Sequence, residues 1–221
     1  MKPAHIYAST RDWPGYFAAM AGKPARETLL LALAHAKPIL HSAERPLAID
    51  LGCGEGRDVP PLLAAGYRVL AIDSHTEAAT RIAERTDIEL ANRAHLTVQT
   101  ASFEALTLPP AALINASFSL PFCPPTHFAA LWGQIVQSLA CGYSREGGAG
   151  YFCGQLFGDD DDWAALPDRT HHTRAQVVDL LSEFDVISLL EERKDGQLFD
   201  GAAKHWHVFH IVAQLRAPSS R

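Results

Sequence analysis

Three glycines at alternate positions, Gly52, Gly54 and Gly56, follow an acid at Asp50. A second acid, Asp73, stands about 20 residues past the first glycine. These residue types suit the holding of a nucleotide-like ligand. Glycine adopts positive φ and lets a ligand lie against bare backbone. A helix that opens after such a turn carries unpaired N–H donors. A carboxylate at the end of the next strand accepts hydrogen bonds from ribose hydroxyls. The positioning elements are legible around these residues. The apolar run 47–51 reads as a buried strand. Val59, Leu62 and Leu63 mark one buried face of a helix, with Pro60 and Pro61 in its first turn, where a missing N–H costs least. Residues 67–72 form a second apolar strand that ends in Asp73.

The dinucleotide fingerprint is G-x-G-x-x-G, whereas the spacing here is G-x-G-x-G with Asp50 two residues ahead. That disfavours a nicotinamide oxidoreductase. The strand, D-x-G-x-G-x-G turn, helix, strand and terminal acid resemble motif I of the class I S-adenosylmethionine (SAM) dependent methyltransferases. Arg57-Asp58, together with Asn115-Ala116-Ser117-Phe118-Ser119-Leu120-Pro121-Phe122, look like the small bacterial members related to the tellurite-resistance group. The resemblance implies SAM as cofactor and S-adenosylhomocysteine (SAH) as product. It places Gly52, Cys53, Gly54 and Gly56 near the methionine half, and Asp50 at the turn or on the amino group. It gives Asp73 to the ribose, Ser74 and His75 to the flanks of the adenosine, Phe103 to one face of adenine and Ser102 to its edge. Asn115 and Ala116, at the end of the fourth strand, complete the set. Many relatives carry an acid near Ser102; this sequence has none before Glu104. Methyltransferases of DNA amines carry two prolines where Ala116 and Ser117 stand.

The rest of the chain reads as an α/β alternation. Residues 1–24 are rich in aromatics and turn formers, including Tyr7, Trp13, Tyr16 and Phe17. They are either an arm packed on the core or a lid over the cofactor. Residues 25–41 read as a helix with Ala25, Leu29, Leu30, Leu33 and Ala36 on its apolar face, ended or kinked by Pro38. Ser74-His75-Thr76-Glu77 reads as a capping box, opening a helix to about Arg85 with Ala78, Ile82 and Ala83 inward. Residues 95–100 and 111–118 are the third and fourth strands. A helix after Pro124-Pro125 buries Phe128, Leu131, Trp132, Ile135, Val136 and Leu139 and stops at Gly142. Residues 150–157 form the fifth strand, and Thr173 to Gln176 cap a helix burying Val177, Val178, Leu180 and Leu181. Residues 185–190 and 206–214 are the last strands, with a turn at Lys194-Asp195-Gly196-Gln197 and hence a hairpin. The expected fold is one α/β domain over residues 1–221, a Rossmann-like, mostly parallel seven-stranded sheet with helices on both faces, and residues 1–41 as an arm and helix covering the site. The resemblance supplies the strand order 3-2-1-4-5-7-6, with strand 7 antiparallel.

The net charge of -6 argues against a sequence-independent grip on nucleic acid. The four scattered cysteines read as free thiols in a reducing compartment. With no visible secretion signal and no apolar stretch of membrane-spanning length, a cytoplasmic protein is expected. Methyl transfer by in-line displacement needs mainly alignment, and a base only for a protonated acceptor. Tyr16, His127, His171 and His172 are the candidates for that base, though a lone histidine near a helix start is more often a cap or surface residue. His205, His207 and His210 show no zinc spacing, so no metal is expected. The acid run 159–162 reads as a solvated loop with one member capping a helix. The leading reading is methyl transfer to a small-molecule acceptor. The rival is a non-catalytic SAM-binding sensor or assembly protein, which would lack a substrate-sized cavity beside the methyl group.

Overall fold

The computed structural model describes residues 11–36, 45–146 and 150–217. Pro3, Tyr7 and Pro38 lie outside the described residues; the helix expected over 25–41 is shorter, spanning Glu27–His35 with Ala36 as its C-cap. Strands β1 (Leu47–Leu51), β2 (Arg68–Asp73), β3 (Leu96–Thr100), β4 (Leu113–Ala116) and β5 (Tyr151–Gly158) are mutually parallel. A two-residue strand β6 (His171–His172) pairs with the end of β5. The hairpin β7 (Phe184–Gln197) and β8 (Ala203–Leu215) completes the order β3-β2-β1-β4-β5-β8-β7, in which β8 runs antiparallel to both neighbours. The expected order is therefore present, with β6 as a small addition. β1 and β4 are covered on both faces, which is why Leu47–Leu51 and Leu113–Ala116 read as unbroken apolar runs apart from Asp50 and Asn115.

Helices cover both faces. One core layer holds Leu29 and Ala32 of α2 (Glu27–His35), Val59, Leu62 and Leu63 of α3 (Val59–Ala64), and Ala78 and Ile82 of α4 (Glu77–Glu84). The other holds Phe128, Leu131, Trp132, Ile135 and Leu139 of α6 (Pro125–Glu146) and Val177 of α7 (Arg174–Leu180). The short α5 (Leu90–Arg93) buries no side chain, and α1 (Trp13–Met20) buries only Phe17.

Several local expectations are corrected. Gly142 does not end α6, which runs on to Glu146. A Cβ on Gly142 would lie 2.1 Å from the Ala111 carbonyl oxygen, so the glycine lets the helix approach the strand that follows Ala111. Lys194 to Gln197 is not a turn, because these residues stay paired with Ala203 to Trp206. The chain reverses over residues 198–202, where Gly201 has φ 85°. The Ser74–Glu77 capping box does not form. Thr76 makes no side-chain cap, and the Glu77 N–H donates to His75 Nδ1 (3.3 Å). The Thr173–Gln176 capping box does form. Leu30, Ala83 and Val178 face solvent, Ala32 is inward on α2, and Val136 is half-buried.

Candidate functional site

The glycine turn closes the carboxyl end of β1 against β2. The Gly52 and Cys53 N–H groups donate to the Ile72 carbonyl (2.7 and 3.0 Å), and Gly56 N–H donates to the Cys53 carbonyl (2.9 Å). Gly54 N–H donates to Asp73 Oδ2 (2.9 Å). These donors are thus spent within the protein, and Pro60 and Pro61 have none to offer. The expectation of free N–H groups at the start of α3 is corrected accordingly. Gly52 sits at φ 70°, and a Cβ there would lie 2.3 Å from Ser119 Cβ. Gly54 lies under the Phe17 ring, and Gly56 backs onto Ile82, away from any ligand.

Behind the turn lies a buried polar network. The Asn115 side-chain amide donates to Asp50 Oδ1 (2.8 Å) and Asp58 Oδ2 (3.0 Å). Its oxygen accepts from Ser117 Oγ (3.0 Å) and Cys153 Sγ (3.3 Å). Asp58 Oδ1 accepts from the Arg26 N–H (2.9 Å), and Arg57 Nε donates to the Pro24 carbonyl (2.5 Å), tying the N-terminal segment to the turn. Among the described residues Asp50 Oδ2 is buried without a hydrogen-bond partner, and Asp50 borders the cavity described below. Burial, followed by the nearby Asp58 charge, raises the Asp50 pKa well above the carboxylate range. Burial likewise raises the Cys53 thiol, leaving it protonated and unreactive at neutral pH.

The raised Asp50 pKa has a stability signature. The folded protein keeps a proton that the unfolded chain releases near pH 4, so stability falls as pH rises from there toward the folded pKa. Asp50→Asn removes that titration. Its urea unfolding free energy is expected to gain on that of the parent protein as pH rises above about 4. Parallel curves for the two proteins would dismiss the assignment.

Asp73 is shaped by its neighbours as well. Its Oδ1 accepts from the His75 N–H (2.8 Å) and its Oδ2 from Gly54, leaving further lone pairs on both oxygens. The His75 ring meets the edge of Phe17 (centroids 5.7 Å apart) and does not border the cavity.

A cavity of about 740 Å³ opens over the turn. Its side nearest the turn is bordered by Asp50, Gly52, Cys53, Gly54, Asp73, Ser74, Ser102 and Phe103. Gly56, His75, Asn115 and Ala116 stand behind this lining, each held by the protein contacts of the turn and β4. Of the four base candidates only Tyr16 borders the cavity. His127 is exposed beside Thr126 Oγ1, and His171 is exposed on β6. His172 packs on Phe128 (4.7 Å), where burial drives its pKa down to about 4. The other side of the cavity is aromatic: Trp13, Phe122, Phe157, Trp163, Phe199 and Trp206. Of these rings only Trp13, in the arm or lid segment, and Phe122, in the Asn115–Phe122 stretch, are singled out by the sequence, which gives Arg11, Asp58 and Gln155 no site role. Gln155 receives the Phe118 N–H (3.0 Å) and donates to Thr28 Oγ1 (2.9 Å), holding Phe118 at a positive φ of 53° at the cavity edge.

A doubly wound sheet with this order, a D-x-G-x-G-x-G turn at the switch beside β1, and an acid ending β2 define the Rossmann-like methyltransferase fold. Residues 48–142 match the family model described as a methyltransferase domain. No curated protein matches the sequence. Among solved structures, TehB from Haemophilus influenzae is similar at TM-score 0.66 and 13% identity, covering 92% of this chain and 67% of its own. The 1,6-didemethyltoxoflavin-N1-methyltransferase of Burkholderia thailandensis, with its substrate and SAH bound, is similar at TM-score 0.58 and 19% identity, covering 95% and 84%. Magnesium protoporphyrin IX methyltransferase from Synechocystis PCC 6803, with SAH, is similar at 0.61 and 13%, covering 96% and 98%. Their common ground with this chain is the fold. Among the described residues no helix is long and apolar enough to cross a membrane.

Proposed function

We propose that the protein methylates a small-molecule acceptor, and that the cavity beside the glycine turn holds cofactor and acceptor together. The observation that carries this reading is the division of the cavity. One half has the acids and bare backbone suited to SAM; the other is walled by rings. A volume of about 740 Å³ falls in the range of small-ligand sites. The residues fit the cofactor. Asp50 Oδ2 offers an unused buried acceptor for its amino group, and Asp73 retains lone pairs for ribose hydroxyls. Side chains at Gly52 and Gly54 would run into Ser119 and Phe17, both of which line the cavity. Ser74 and Ser102 flank the adenosine, and Phe103 lies against the base. When bound, SAM supplies an electrophilic methyl carbon whose bond to sulfur breaks with the electron pair staying on sulfur. The protein's own part is to align the acceptor lone pair with that bond and to keep water out. Helix α1 serves as the lid, with Phe17 against Gly54 and Tyr16 turned to the acceptor.

This reading favours an enzyme over a sensor, since a sensor has no use for the ring-walled half. It also has no role for nucleic acid, in keeping with the negative charge. The test is to incubate the protein with methyl-labelled SAM and a cell extract, then separate label by size. Label is expected in the low-molecular-weight fraction. Label confined to protein or nucleic acid would overturn the small-molecule assignment. Asp73→Asn should weaken SAH binding at least about tenfold, or about 1.4 kcal/mol, by calorimetry. An unchanged affinity would remove Asp73 from the ribose.

A further inference from the structure

The acceptor half of the cavity contains a cation, Arg11, one of whose buried donors has no hydrogen-bond partner among the described residues. The Arg11 guanidinium lies 4.6 Å from the Trp13 ring centroid, 5.1 Å from Tyr16, 4.8 Å from Phe122 and 4.8 Å from Trp163. Among the described residues its Nη1 is buried without a hydrogen-bond partner, and the guanidinium forms no ion pair. Arginine carries only donors, and buried donors are nearly always paired. Two other cations close to these rings are paired with acids. Arg169, over Phe122, pairs with Asp168 (2.8 Å). Lys204, behind Phe157, Trp163 and Trp206, is bound to Asp161, which also accepts from the Trp163 and His207 N–H groups. Burial lowers the Arg11 pKa to about 10, so it stays charged at neutral pH.

A cage of rings ordinarily recognises a cationic ligand through the negative faces of the rings. Here the protein's own Arg11 and Lys204 already occupy those faces. A second cation would meet like charge, whereas an anion would complete Arg11. The rings that flank the guanidinium, Trp13, Tyr16 and Trp163, suit a flat ligand body.

Resting on the methyltransferase reading above, we propose that the acceptor is a planar aromatic acid whose anionic group pairs with Arg11 while its ring system packs among Trp13, Phe122 and Trp163. The carboxylate anchors the molecule through the planar guanidinium, which matches it in two parallel hydrogen bonds. The methylated atom is then a different heteroatom of the same molecule, turned toward the glycine turn.

Benzoate, 1-hydroxy-2-naphthoate and quinoline-2-carboxylate, each beside its primary amide, serve as probes. They are titrated into the SAH-saturated protein and followed by the tryptophan fluorescence of the cage. At least one acid is expected to bind tenfold or more tightly than its amide. In Arg11→Met that preference should fall below threefold, with circular dichroism and SAH binding reporting that the variant folds. Arg11→Lys, which keeps the charge without the fork, should retain part of it. Acids and amides binding alike, no acid binding, or a preference that survives Arg11→Met would each overturn the proposal while leaving the methyltransferase reading intact. Failure of the unaltered protein to bind SAH would overturn both. Should Arg11→Met not fold, the comparison of acid with amide in the parent protein still decides.

Discussion

Gly52→Ala is expected to reduce SAH affinity at least about 100-fold, or about 2.7 kcal/mol, without unfolding the protein. Two costs combine. A non-glycine residue at φ 70° carries a penalty of about 1–2 kcal/mol. The new methyl group would also sit 2.3 Å from Ser119 Cβ. Ser119 cannot step aside freely, because its Oγ donates to the Leu51 carbonyl at 2.5 Å and it begins the 3₁₀ turn at Leu120–Phe122. Relief must therefore come from the turn, which moves Gly52 and Cys53 off the Ile72 carbonyl and into the cofactor side of the cavity. Adding Ser119→Gly removes the collision but not the dihedral cost, so the double variant should recover most of the lost affinity. Calorimetry with SAH on the three proteins reads this directly. Binding by Gly52→Ala within threefold of the parent would mean that the turn does not shape the cofactor site.

The second large effect is on stability. Asn115→Leu is expected to cost about 3 kcal/mol, measured as the urea unfolding free energy. Asn115 is fully buried, and its amide is the shared donor of two nearly buried carboxyls, Asp50 and Asp58. Leucine matches the volume but supplies no donor. It leaves Asp50 Oδ1 and Asp58 Oδ2 facing each other's field, together with Ser117 Oγ and Cys153 Sγ without their acceptor. An unsatisfied buried group costs about 1–3 kcal/mol, and several are created at once. A loss below about 1 kcal/mol would show that the carboxyls find other partners and that Asn115 is not what holds them.

What could be read from the sequence followed the range over which its signals act. The β1–turn–α3–β2 unit was legible because its determinants are local: an apolar strand, glycines at fixed offsets, and Asp73 one unit later. The same locality brought Asp50, Gly52, Gly54 and Asp73 to one cavity. Asp58 and Gln155 were not legible, since their partners Arg26, Asn115 and Thr28 are remote along the chain. Arg11 had no signal at all. A cation among rings is assembled from α1, the segment around Phe122 and the loop at Trp163, which meet only once the sheet has formed. Glycine misled where it serves packing. Gly142 looked like a helix stop because a helix end and a close helix–strand contact leave the same residue in the sequence. Gly196 looked like a turn although it extends a ribbon, pairing with Lys204 beneath the Trp206 ring.

The unshared oxygen of Asp50 has a consequence for how binding must be measured. Burial makes the Asp50 carboxyl hold its proton more tightly than an exposed carboxyl does. An ammonium group arriving at Oδ2 draws the carboxyl toward its charged form, and the displaced proton passes to the buffer. Association is then an exchange of a ligand for a proton, and the heat recorded includes the ionisation heat of whatever base takes that proton up. Titrations in phosphate and in Tris should consequently give different apparent enthalpies for the same ligand, with the slope between them counting the protons that leave the site.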